Sequence, residues 1–151
     1  MKIDNSEKSN GRLQSLNKLV GVWNIEGELV HGQVSFEWMK GEFFLKQNVC
    51  VQFNNQMIIG LEIIGQGKKD EEIRGIEEIR SQFFDNSGNI LEYVYEMNEN
   101  ELIIWAGEKH SSSYYKGKLS NDNNSITGFW CWPGGGYEST MIRVTNFECV
   151  L

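Results

Sequence analysis

The stretch Leu19-Val20-Gly21-Val22-Trp23-Asn24-Ile25 changes its hydrophobic period in mid-course. Upstream of Gly21, the residues Leu13, Leu16, Leu19 and Val20 fall at helical spacing, with Ser9 or Asn10 able to cap the start and Gly21 placed to stop the helix. Downstream, Trp23, Ile25, Gly27 and Leu29 alternate with Asn24, Glu26 and Glu28, the pattern of a half-buried strand. A second stretch, Phe36-Glu37-Trp38-Met39-Lys40-Gly41-Glu42-Phe43-Phe44-Leu45, reads as a hairpin between two aromatic strands. A short helix leading directly into a strand with a buried Trp, then an aromatic hairpin, predicts a small closed β-barrel with the helix plugging one end.

The rest of the chain continues in the same style. Phe43, Leu45, Val49, Val51 and Phe53 share a stripe that Gln47 interrupts, and Asn54-Asn55 turns the chain into a strand from Met57 to Ile64. Further strands are expected at 81–84, 90–97, 102–106, 113–119, 126–132 and 137–147, separated by clusters such as Asp85-Asn86-Ser87-Gly88-Asn89 and Pro133-Gly134-Gly135-Gly136. That makes about ten short antiparallel strands. Their short turns suit a meandering barrel better than a sandwich, which needs long crossing connections. Residues 65–80 are rich in Gly, Lys, Asp and Glu and read as a solvated loop, or as a flap beside a barrel mouth. Residues 1–10 read as a flexible tail, and 11–151 as one domain.

Composition bounds the function. A chain of 151 residues can bury about 70% of its unfolded surface without help from disulfides. The formal net charge of −7 argues against a nucleic-acid partner, because clustered Lys and Arg supply that affinity. No apolar run approaches the ~20 residues that span a bilayer. Met1 to Glu7 contain no signal-type apolar stretch, so the cytoplasm is the expected compartment. Cys50, Cys131 and Cys149 are odd in number and widely spaced, which reads as three reduced thiols and neither a disulfide framework nor a zinc site. No metal or cofactor is expected.

The helix leading into Gly21-x-Trp23 resembles the opening of the calycin superfamily, the lipocalins and fatty-acid-binding proteins. A longer series, Leu16-x-x-Leu19-x-Gly21-x-Trp23, Phe36-Glu37-Trp38, Phe43-Phe44-Leu45, Ile63-Ile64-Gly65, Phe84-Asp85-x-x-Gly88 and Ile126-Thr127-Gly128-x-Trp130, resembles a family of small bacterial lipocalin-like barrels classed as a domain of unknown function. The likeness spans residues 13–147, and the segment 66–80 departs from it by its length. It implies a calycin-type barrel with Trp23 across the closed end, and it carries over no activity, because the family has none settled. Nitrobindin-like haem barrels share the opening. Here, however, Ile25 stands at the middle Gly of their Gly-x-Trp-x-Gly-x-Gly, and residues 126–147 lack the late-strand His that would ligate haem.

Three functions follow from the candidate residues. The first is non-catalytic binding of a small apolar or aromatic molecule, with Trp38, Gln47, Tyr93, Tyr95, Trp105 and Trp130 around the guest. Gln47 and the Tyr hydroxyls would orient the guest while the indoles pack on it. The second is a barrel enzyme using Glu62, Tyr95 and Arg143 for acid–base chemistry, the set used by phenolic acid decarboxylases of similar architecture. That reading needs Glu62 to face the interior; the competing expectation puts Glu62 in solvent opposite an inward Leu61. The third is a filled barrel that works through its surface, as a homodimer or interaction module, with Phe129 and Ile142 as candidate outward residues. The Gly134-Gly135-Gly136 run lacks the Lys-Ser/Thr and helix of a phosphate loop, and the Ser residues after His110 lack an oriented acid.

Overall fold

Leu13, Leu16 and Leu19 form the apolar stripe of the helical segment, and all three are fully buried. The computed structural model describes residues 11–66 and 78–149. The helical segment is one α-helical turn, α1 (Gly11–Gln14), that tightens into a 3-10 helix over Ser15–Leu19. The Val20 N–H closes it on the Asn17 carbonyl at 3.1 Å.

Ten strands follow: β1 (Gly21–Glu26), β2 (Val30–Trp38), β3 (Phe44–Phe53), β4 (Gln56–Gly65), β5 (Ile79–Asp85), β6 (Ile90–Asn98), β7 (Glu101–Ala106), β8 (Tyr114–Leu119), β9 (Ser125–Trp132) and β10 (Gly135–Val144). Each pairs antiparallel with the strands before and after it in sequence, and β1 pairs with β10 to close the barrel. Closure leaves no strand edge open to other chains. Asn54-Asn55 is one of three two-residue connections, and both residues take positive φ (49° and 67°) between β3 and β4, as such a hairpin turn demands.

The helical segment plugs one end. Trp23, Leu45, Ile64, Leu119 and Ile126 lie in the same sealed layer as Leu16 and Leu19. The Trp23 indole N–H donates to the Leu19 carbonyl at 2.8 Å. Arg143, opposite Trp23 in the β1–β10 ladder, lays its guanidinium over the Trp23 ring at 4.2 Å and donates to the carbonyls of Lys18, Val20 and Asn123. The bonds to Lys18 and Val20 satisfy carbonyls that the end of a helix leaves without partners. Gly21, at φ +130°, is the one residue type that fits there, because any Cβ would meet the Arg143 guanidinium.

Two expectations need correction. Cys50 and Cys149 form a disulfide with a Cα–Cα distance of 5.7 Å, where three reduced thiols were expected. Beyond β10 the chain runs back along β2, where the Gln33 side chain binds the Asn146 carbonyl and the Glu148 N–H. Cys50 is the ladder partner of Gln33, so the same contact delivers Cys149 to it. Cys131 stays a free thiol. The loop expected over 65–80 gives up both margins to strands: Gly65 ends β4, and Ile79 and Arg80 open β5. The tail at 1–10 and the middle of that loop, 67–77, lie outside the described residues. Among the described residues no helix is long and apolar enough to cross a membrane.

Candidate functional site

Above the sealed layer the barrel keeps an interior cavity of about 250 Å³. Strand alternation decides what reaches it. On β3 the inward row is Leu45, Gln47, Val49, Val51 and Phe53; on β4 it is Ile58, Gly60, Glu62 and Ile64. The register sets Gln47 directly opposite Glu62. Glu62 is 3% exposed and its neighbour Leu61 37%, so the expectation that Glu62 faces solvent and Leu61 the core is reversed.

A carboxylate in that position needs donors, and two strands supply them. Ser81 of β5 donates from its hydroxyl to Glu62 Oε2 at 2.6 Å. Tyr95 of β6 donates to Oε1 at 2.8 Å. Burial pushes the Glu62 carboxyl up from 4.5 to about 7, against the pull of these two bonds. The phenols respond in turn. Tyr95 is raised well above its ordinary value, and Tyr93 to about 12, first by burial and then by the Glu62 charge.

Glycines shape the remaining space. The Phe83 ring occupies the room a side chain at Gly60 would take, and the Tyr115 hydroxyl does the same at Gly117 and Gly128. That hydroxyl is buried and has no hydrogen-bond partner among the described residues. Trp130 is flanked by Tyr93 and Tyr115, at ring-centroid distances of 5.9 and 5.7 Å. Tyr137 and Phe53 pack ring to ring at 4.9 Å and extend the aromatic wall.

Of the residues expected around a guest, Gln47, Tyr93, Tyr95 and Trp130 line this cavity. Trp38 and Trp105 do not. Trp38 faces inward but at the plugged end, where its indole N–H donates to the Asn17 side chain at 2.8 Å. Trp105 follows the inward Ile104 and therefore points out of the barrel, covered by His110 at 5.4 Å and Lys109 at 5.8 Å. The acid–base set does not assemble either: Glu62 and Tyr95 touch, but Arg143 is committed to Trp23 and the helix carbonyls. Reading the sequence missed Ser81, Tyr115 and Tyr137. Phe129 and Ile142 do face outward, on separate rungs of the β9–β10 ladder.

Glu62 is the one charged side chain among the described residues that line the cavity. Among the described residues no group of three or more His, Cys, Asp and Glu side chains comes together as a metal site. Compared with protein-family models and with curated proteins, the chain matches none.

Proposed function

We propose that the barrel is a non-catalytic binder of a small apolar or aromatic molecule held in the interior cavity. The observation that carries this reading is the composition of the wall: apolar side chains and aromatic rings, with a few polar groups, Gln47, Ser139 and a Glu62 carboxyl bonded by Tyr95 and, from behind the wall, by Ser81. Binding sites of this kind are mostly apolar with a few placed polar groups. The buried Tyr115 hydroxyl supports it, because a buried polar atom without a partner is costly and a guest can satisfy it. The helical plug over Trp23 and the closed meander favour placing the chain with calycin-type barrels of bacterial type.

Native mass spectrometry of freshly purified protein, beside its denatured mass, tests the reading. Excess mass released on denaturation is the expected result. A bare native mass, together with no change in Trp fluorescence across a library of aromatic and aliphatic compounds, would overturn it. The cytoplasmic compartment belongs to this proposal as well, and the Cys50–Cys149 bond weighs against it, since cytosolic thiols are kept reduced.

A second reading rests on the outer face. Leu61, Phe84 and Ile90 are consecutive partners across β4, β5 and β6, and all three are exposed. An apolar row crossing three strands is the surface a homodimer would cover. Sedimentation of the wild type beside Phe84→Lys tests it: a monomer at every concentration rejects the homodimer.

A further inference from the structure

We propose that the guest of this cavity is a small organic cation, an amine whose ammonium group sits against Glu62 and the surrounding aromatic rings. This rests on the binding reading above and names the chemical class of the guest.

The wall is one-sided in charge. Glu62 faces the cavity with two neutral donors, Ser81 and Tyr95, and no Lys, Arg or His lines the cavity among the described residues. A carboxylate has about four acceptor positions, and the two donors take two. Taking a carboxylate out of water is expensive unless a counter-charge and further hydrogen bonds accompany it. An ammonium group supplies both, with up to three donors. An anionic guest would meet the carboxylate as a like charge.

The rings complete the argument. Phe83 is the ladder partner of Glu62, and Tyr93, Trp130, Tyr115 and Tyr137 continue the wall. Aromatic faces carry negative electrostatic potential and attract cations, most strongly where water is excluded. The same faces repel anions and are indifferent to neutral polar groups. At about 250 Å³ the space falls below the ~300–1,000 Å³ of drug-sized sites, so the amine is small.

The groups that face Glu62 fix the pH behaviour. They are Gln47 from β3, Ser81 and Phe83 from β5, and Tyr93 and Tyr95 from β6, with Tyr115 and Tyr137 from β8 and β10. Burial raises all four phenols above their ordinary value, Tyr93 and Tyr137 to about 12, so they stay neutral. Glu62 is thus the one group of the wall whose charge changes near neutrality. The cavity attracts a cation once Glu62 ionises and loses that attraction in acid.

Three molecules of one shape test the proposal: 2-phenylethylammonium, 2-phenylethanol and 3-phenylpropionate, titrated by calorimetry and Trp fluorescence. At about pH 8 the ammonium should bind about ten-fold tighter than the alcohol, and the carboxylate most weakly. At about pH 5.5 that preference should shrink several-fold while alcohol binding holds. Glu62→Gln should abolish the preference for the ammonium over the alcohol. The wild-type series carries the test even if that variant fails to fold. Equal or tighter binding of the alcohol or carboxylate overturns the cation assignment and leaves the cavity reading standing. No binding of any of the three up to solubility overturns the cation assignment, and only a bare native mass with no response across the wider library overturns the cavity reading as well.

Discussion

Tyr95 and Glu62 belong to strands that do not pair with each other, yet the Tyr95 hydroxyl donates to Glu62 Oε1 at 2.8 Å inside the barrel. The strand between them, β5, contributes Ser81 to the other carboxylate oxygen. Three consecutive strands therefore share one buried polar knot in an otherwise apolar and aromatic interior. An apolar core of the same shape would be no less stable. Under the proposed binding function, the knot is the polar part of the guest site.

Stability should fall as pH rises through neutrality, and Glu62 should be the cause. The unfolded carboxyl releases its proton near 4.5, whereas the native one keeps it to about 7. Between those values the native state binds more protons at this group, so the Glu62 contribution to stability is fully present below pH 4.5 and is lost as pH rises through about 7. The full effect is about 3 kcal/mol. Urea unfolding of wild type and Glu62→Gln across this range checks it. The wild-type curve should slope downward with pH and the variant's should be flatter; parallel curves would reject the assignment.

Tyr95→Phe should destabilise the protein by about 1–3 kcal/mol, because it strips a donor from a buried acceptor without relieving the burial. It should also move the acid-to-neutral stability transition upward, since the Tyr95 bond is one of the two forces that lower the Glu62 carboxyl. Ser81→Ala should act in the same direction. A variant with lower stability but an unmoved transition would show that the phenol acts only through packing.

How much of this was legible depends on whether a strand carried a polar marker. Gln47 stood out because it broke an apolar stripe, and the structure puts it in the cavity wall. Its ladder partner Glu62 was misjudged because Met57 to Ile64 is apolar on both faces, so the strand has no readable phase. Leu102-Ile103-Ile104-Trp105 has the same defect, and Trp105 was assigned to the wrong side. Trp38 was given the right side but the wrong height, since alternation says nothing about position along the barrel axis. Ser81 and Tyr115 gain their roles from partners on other strands. Cys50 and Cys149, separated by 99 residues, meet only because the chain after β10 returns along β2.

Arg143→Ala should loosen the plugged end. The side chain stacks on Trp23 and bonds three carbonyls, two of them around the end of the 3-10 helix. Losing a stacked, multiply bonded cation should cost about 2–4 kcal/mol. Arg143→Lys should recover part of this at most, because a single ammonium cannot fork between the carbonyls. Binding of any guest at saturating stability should be unchanged, since the cavity wall excludes Arg143. Chemical unfolding combined with ligand titration separates the two effects. A large loss of affinity in a folded Arg143 variant would show that the plugged end and the cavity are coupled.

The disulfide makes the last prediction. Cys50 lies on the outer face of β3, and Cys149 lies beyond the last strand, so the bond ties the end of the sheet's closing segment to its middle. Thiol titration under denaturing conditions without reductant should find one free thiol, Cys131, and two more after reduction. A cross-link over so long a loop restricts the unfolded chain strongly, and its removal typically costs about 2–4 kcal/mol. Cys149→Ser should therefore unfold at lower urea than the oxidised wild type. It should match the reduced wild type, because the rest of the barrel is held by its own ladders and by the sealed layer around Trp23. Rapid acid trapping of thiols in the cells that make the protein then decides its compartment: one alkylated cysteine marks an oxidising environment, and three would restore the cytoplasmic assignment.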